Sequence, residues 1–175
     1  MRRLLGGLLA LGVTFVLIGT LGTSASAADC VTNWGSLPKG SLTGNTQEPL
    51  NSLRTGRHDC YDRMVIDIAG TGFGYRAEYV DQVVHDGSGA PVPLRGGAKI
   101  RIIVQAMAAT GFPASSPELA NVSGYATFRQ VAGAGAFEGQ TTIGLGVRAR
   151  LPFRVFTLPL EGGGTRLVTD VAHSW

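Results

Sequence analysis

From Tyr61 onward the chain alternates apolar and polar residues with a period of two, and that alternation restricts it to strands. Met64, Ile66 and Ile68 alternate with Arg63, Val65 and Asp67. Ile100, Ile102 and Val104 alternate with Lys99, Arg101 and the exception Ile103; Thr141, Ile143, Leu145, Val147 and Ala149 alternate with Gln140, Thr142, Gly144, Gly146 and Arg148. Each run predicts a half-buried strand with one face in a core and the other toward solvent or a ligand. Further strands are expected over residues 75–82, 125–131, 153–158 and 166–171. Turn signals separate them: Asp86-Gly87-Ser88-Gly89, Arg95-Gly96-Gly97, Gly133-Ala134-Gly135 and Gly162-Gly163-Gly164. No segment sustains the stripe of an amphipathic helix, and residues 113–119 hold at most one helical turn. Many short strands with glycine turns predict an all-β sandwich or barrel.

The N-terminal residues carry a different signal. Met1-Arg2-Arg3 is a short positive region, residues 4–21 are apolar with Gly6, Gly7 and Gly12 among them, and Ala25-Ser26-Ala27 is a small-x-small site. This is the layout of a secretory signal peptide over residues 1–27, cleaved after Ala27. A run of about 18 apolar residues is also just long enough for an uncleaved anchor, but the glycines and the cleavage site favour removal. Membrane contact is then expected only through this segment before cleavage, and the product is secreted or extracytoplasmic.

Cleavage leaves 148 of the 175 residues, enough for one compact domain. Loss of Arg2 and Arg3 takes the 15 basic residues to 13 against 12 acidic ones, a formal charge of +1. Nucleic-acid and anionic-membrane binding need clustered Lys and Arg, so neither is expected. Only Lys39 and Lys99 are lysines; with abundant Gly and Ala, the bias toward Arg points to a GC-rich bacterial genome. Cys30 and Cys60 make an even count in an exported chain, and predict one disulfide. His58 lies near Cys60, yet no C-x-x-C or H-x-x-H spacing supports a metal site. On the chain-entropy model the bridge stabilises the fold by roughly 3–4 kcal/mol. It ties an N-terminal arm to the first strand. Gly35, Pro38, Gly40, Gly44, Pro49 and Gly56 break every period in that arm, so residues 28–59 are expected to be irregular, with the β domain over residues 60–172.

Catalytic motifs are weak. Asp86-Gly87-Ser88-Gly89 lacks the strand-to-helix context of a nucleophile elbow and is expected to be a hairpin turn. Gly70-Thr71-Gly72-Phe73-Gly74 and Gly144-Leu145-Gly146 lack the spacing and following helix of a dinucleotide site, and bulges or turns are expected at both. His58, His85 and His173, with Asp59, Asp62, Asp67, Asp81 and Asp86, could supply a base or a metal, but no ligand or triad spacing links them. No cofactor and no catalytic residue are expected.

One pattern says more. Arg63-Met64-Val65-Ile66-Asp67-Ile68-Ala69 is echoed by Arg166-Leu167-Val168-Thr169-Asp170-Val171-Ala172, with four of seven positions identical. In each copy Arg and Asp stand at i and i+4 on one strand face. Duplication and simple cross-strand charge pairing both explain such an echo. The first copy with residues 74–80, and residues 152–158 with the second copy, resemble the R-x-V-x-D and F-x-V-x-x-L strands of AMIN domains. The chain is most similar to the actinobacterial AMIN-like group of secreted proteins, in W-G-S-x-P-K at residues 34–39, G-R-H-D-C-Y-D-R at residues 56–63, D-G-S-G-x-P-V at residues 86–92 and F-E-G at residues 137–139. The resemblance implies an antiparallel β-sandwich of two small sheets. It also implies a non-catalytic module of the kind that targets cell-wall amidases and secretins to peptidoglycan, with no amidase or secretin domain expected to follow.

The expected function is therefore an exported binding module of the cell envelope, associating with peptidoglycan or another wall glycan. Alternatives are a protein-interaction subunit pairing through a β edge with an envelope protein, a small hydrolase using His58, Asp59 and Asp62, and a barrel enclosing a small molecule. Sugar binding by a sheet uses flat aromatics and bidentate donors. The candidates of those types are Trp34, Tyr75, Arg76, Tyr79 and Arg154. Tyr75 and Tyr79 share a strand face with Ala77, which equally suits a core.

Overall fold

The computed structural model describes residue 30 and residues 32–175. The signal peptide expected over residues 1–27 lies outside the described residues. Nine strands occur among them: β1 (Lys39–Ser41), β2 (Leu50–Arg57), β3 (Tyr61–Ile68), β4 (Tyr75–Val80), β5 (Ala98–Val104), β6 (Phe128–Phe137), β7 (Gln140–Val147), β8 (Phe153–Pro159) and β9 (Thr165–Ala172). They form two antiparallel sheets, one in the order β1-β4-β5-β7-β6 and one in the order β2-β3-β9-β8. No helix is present among the described residues, and none is long and apolar enough to cross a membrane.

The inner faces of the sheets share one core. Met64, Ile66 and Ile68 of β3 and Leu167 and Val171 of β9 meet Ile100, Ile102 and Val104 of β5 and Ile143, Leu145 and Val147 of β7. Each of these side chains is fully removed from water, worth about 1.5–3 kcal/mol apiece in transfer terms. In β3 and β5 the buried positions alternate as the period of two requires.

Three expectations fail for physical reasons. Leu50–Arg57 is not irregular: it pairs along β3 from Leu50 opposite Ile68 to Arg57 opposite Asp62, with a register shift between Leu50 and Ser52. It is an edge strand with few buried side chains, so main-chain pairing builds it and no apolar alternation announces it. Lys39–Ser41 likewise pairs with β4. Gly133-Ala134-Gly135 is not a turn but lies inside β6, at a second register shift. Gly135 has φ +113, which a bulge tolerates because glycine has no Cβ. The actual β6–β7 turn is Glu138-Gly139, both at positive φ as a two-residue hairpin requires.

The third concerns β7, which is buried on both faces. Gly144 and Gly146 are neither bulges nor turns; they clear space on its outer face for residues 83–95. Val83 and Val92, with Leu94 against them, pack there on Ala132 and Ala134 as a second small core. The edge of β6 is covered as well, by Gly133 N–H to Ser116 O at 2.8 Å and Gly135 N–H to Ala114 O at 2.8 Å. A Cβ on Gly146 would lie 2.0 Å from the Arg95 carbonyl oxygen. Gly146→Ala is thus expected to lower stability by about 2–3 kcal/mol, measured by denaturant unfolding, although alanine is the smallest side chain available.

The disulfide joins Cys30 to Cys60, at the entrance to β3, as the cysteine count predicts. Beyond it the arm lies along β8: Phe153 N–H donates to Gly35 O at 2.9 Å, and Arg150 Nη2 donates to Ser36 O at 3.2 Å. These bonds set where Trp34 stands.

Candidate functional site

Alternation along the four-stranded sheet sends Arg63, Val65 and Asp67 of β3, Arg166, Val168 and Asp170 of β9, and Arg154 and Phe156 of β8 to its outer face. In the register, Asp170 lies between Arg63 on one neighbour and Arg154 on the other. Arg63 Nε donates to Asp170 Oδ1 at 2.6 Å and its Nη2 to Oδ2 at 2.9 Å, while Arg154 Nε donates to Oδ2 at 2.8 Å. Although it belongs to the outer face, the Asp170 side chain is fully buried beneath the two arginines. Hydrogen bonding from this carboxylate, joined by its negative charge, raises the Arg63 pKa against the opposing effect of burial.

Aromatic rings line both guanidinium groups. The Arg154 guanidinium carbon lies 4.3 Å from the Trp34 ring centre, 5.0 Å from Phe156 and 5.6 Å from Tyr61. Arg63 lies 5.1 Å from Tyr61 and 5.6 Å from Phe156. Trp34 meets Tyr61 edge-on at 5.7 Å, and His58 stacks on Tyr61 at 4.5 Å. Attraction between a cation and a ring face is worth about 0.5–1 kcal/mol at exposed sites and holds each guanidinium in one orientation.

The echo noticed in the sequence is cross-strand charge pairing. Centred on Val65 opposite Val168, Arg63 faces Asp170 and Asp67 faces Arg166. Asp67 also takes Arg54, together with a bond from Ser52 Oγ at 3.1 Å. Arg166 Nε is more distant, at 3.7 Å.

Of the five candidate ligand residues, the structure brings together Trp34 and Arg154. Tyr79 points into the sandwich: its hydroxyl donates to Leu151 O at 2.8 Å and accepts from Leu151 N–H at 2.9 Å, and its ring meets Phe153 edge-on at 5.4 Å. Burial raises its pKa, as it does for Tyr75, which also packs against the core. Arg76 stands on the five-stranded sheet, paired with Glu78 at 2.7 Å. Sequence reasoning missed Tyr61, Arg63, Phe156 and Asp170 as neighbours of Trp34. The Arg and Asp of the echo and the spacing of two between Arg154 and Phe156 were the available signals.

His58 and Asp62, expected together in a hydrolase, are directed to different faces of β3. His58 lies outside on Tyr61, whereas Asp62 faces inward and accepts Thr127 N–H at 2.6 Å and Phe128 N–H at 2.9 Å. Its other oxygen lies 3.1 Å from His173 Nε2, and His173 Nδ1 lies 3.1 Å from the Asp59 carbonyl oxygen. These bonds commit Asp62 to holding residues 127–128 and the end of β9. Among the described residues no group of three or more His, Cys, Asp or Glu is placed to hold a metal ion.

The outer face of the four-stranded sheet is thus rich in arginine and lined with aromatic rings. The chain belongs to the AMIN-like domain family, whose model matches residues 48–173. No curated protein and no solved structure matches the chain. The match takes in strands β2 to β9, with Arg63, Arg154 and Asp170, while Trp34 and Cys30 lie before it.

Two outcomes follow from the ion pairs. Asp170→Asn removes the charge two arginines share; because both reach solvent and rehydrate, the loss of stability is expected to be about 2–4 kcal/mol by denaturant unfolding, short of that for a fully enclosed pair. On the other sheet, hydrogen bonds from Arg76 and then Arg101 hold the Glu78 carboxyl below the usual carboxylate range. Glu78 therefore stabilises the fold above its unfolded pKa of about 4.3 and loses that contribution as pH falls through the depressed value. The Tm gap between wild type and Glu78→Gln is expected to be constant from about pH 6 to 8 and to narrow as pH falls below the unfolded value of about 4.3.

Proposed function

We propose that the protein is an exported, non-catalytic module of the cell envelope that associates with peptidoglycan or another wall glycan through the outer face of the β2-β3-β9-β8 sheet. The observation that carries this reading is the stacking of Arg154 on Trp34 at 4.3 Å, beside Phe156 and Tyr61. Sugars are bound by flat aromatic surface together with fixed hydrogen-bond donors; here Arg154, Phe156 and Tyr61 stand on strands and Trp34 on the disulfide-held arm. Membership of the AMIN-like family supports a binding role in the envelope. Export is supported by the leader-like residues 1–27 and by the Cys30–Cys60 disulfide, a bond that persists in oxidising compartments.

A second reading, association with an envelope protein, is favoured by the outer edge of β8. This strand ends its sheet, and Thr157, Leu158 and Pro159 are exposed there. Sedimentation separates the two. The disulfide-intact protein is expected to sediment saturably with insoluble peptidoglycan and not with an unrelated insoluble glycan, and Trp34→Ala is expected to weaken binding by about tenfold, the scale of one aromatic contact. Undiminished binding by that variant would remove this face as the site. No sedimentation above the control would leave the protein-partner reading in its place.

A further inference from the structure

The outer face of the four-stranded sheet holds more positive charge than its own carboxylates neutralise. Four arginines, Arg54, Arg63, Arg154 and Arg166, share two acids, Asp67 and Asp170. Beside Trp34 the imbalance has a definite geometry. Arg63 spends Nε and Nη2 on Asp170, but Arg154 spends Nε alone. A guanidinium is planar and carries five N–H groups, four of them on the two terminal nitrogens. For those four in Arg154 no protein acceptor is found among the described residues, and the side chain is 38% exposed. The Asp170 bond and the rings of Trp34 and Phe156 fix the plane of the group, so its terminal fork is already oriented.

Resting on the wall-glycan reading above, we propose that this fork binds a carboxylate, and that the ligand is an acidic saccharide whose carboxylate is carried on the sugar itself, as on a glycan strand freed of its peptides. Two parallel N–H···O bonds between a guanidinium and a carboxylate are stronger and more directional than bonds to neutral hydroxyls. Asp170 is enclosed and engaged by three N–H groups, so it does not compete for the fork. The surplus charge on this face favours an anion over a neutral sugar. The ring centres of Trp34 and Phe156 lie 4.3 and 5.0 Å from the guanidinium carbon, so aromatic surface flanks the fork and is within reach of a group carried close to the carboxylate. A sugar ring attached to the acid fills that place, whereas a carboxylate on a flexible peptide arm leaves it unfilled.

N-Acetylmuramic acid and N-acetylglucosamine share a ring and differ by the lactyl carboxylate, which makes them matched probes. The full, disulfide-intact chain would be titrated with each, and with a free acidic tetrapeptide, while the Trp34 indole N–H and Arg154 Nε–H NMR resonances are followed. The chain has two tryptophans, so Trp34→Phe assigns the indole signal. The expected result is a saturable shift of both resonances with N-acetylmuramic acid and about tenfold weaker binding of N-acetylglucosamine. Arg154→Gln is expected to erase the difference between the two sugars while the spectrum stays folded, because Arg63 still pairs with Asp170. Arg154→Lys keeps the charge without the fork and is expected to lose most of the preference; full retention would overturn bidentate binding. Arg76→Gln, on the other sheet, is expected to leave the preference intact, and its loss there would assign the effect to general charge and overturn the site.

Equal affinity for the two sugars, or no shift with either while the protein still sediments with peptidoglycan, would overturn the carboxylate and leave wall binding standing. A tetrapeptide as strong as N-acetylmuramic acid would overturn the sugar as its carrier. Failure to sediment with peptidoglycan, both before and after its peptides are removed, removes the wall reading itself and the proposal with it.

Discussion

Asp170 receives two arginines that reach it from very different distances along the chain, Arg63 at a separation of 107 residues and Arg154 at 16. A buried carboxylate loses hydration worth several kcal/mol, and here three charge-assisted hydrogen bonds compensate for that loss. The three strands that carry these residues are thereby held in one register. A slip of one residue between β3 and β9 would place every side chain of the slipped strand on the other face, sending Asp170 toward the core and Val171 toward water. Asp62 applies the same constraint from the inner side of β3, where its carboxylate satisfies the main-chain N–H groups of Thr127 and Phe128. Since β3 and β9 are paired along their whole lengths, they bring the two ends of the β region together at the centre of one sheet.

The same interactions position the proposed recognition surface. Arg63 and Arg154 are held from below by Asp170 and from the sides by aromatic rings, so little conformational freedom remains to be lost when a ligand arrives. Trp34 enters from a segment that precedes the family match, carried by the Cys30–Cys60 bridge, the Gly35–Phe153 bond and the contact of Arg150 with Ser36. The β-sandwich supplies the donors, and the disulfide-held arm supplies the ring that covers Arg154.

How far the chain could be read without a structure varied with the kind of interaction that builds each element. β3 and β5 were legible because their apolar side chains alternate against a single core. For β7 the period was legible but the face was not, since glycine at positions 144 and 146 is silent about whether solvent or another segment fills the space beside it. β2 was missed because an edge strand draws on backbone hydrogen bonds more than on buried side chains. Trp34 and Arg154, singled out by chemical type alone, come together in the structure. Tyr79, of the same type, proved to be a core residue whose hydroxyl holds Leu151.

Period, turn chemistry and an even pair of cysteines were sufficient, without coordinates, to determine an all-β chain with one bridge at the entrance to β3, because these properties are local or nearly so. Which Arg meets which Asp is not local. Arg63 and Asp67 share a strand face, as do Arg166 and Asp170, and each Arg could have paired with the Asp of its own strand. Antiparallel pairing of β3 with β9 set them across from one another, and the path of the arm set Trp34 over Arg154. Both are decided by contacts between segments more than 100 residues apart, whose free energy exists only once the two sheets have closed on a common core.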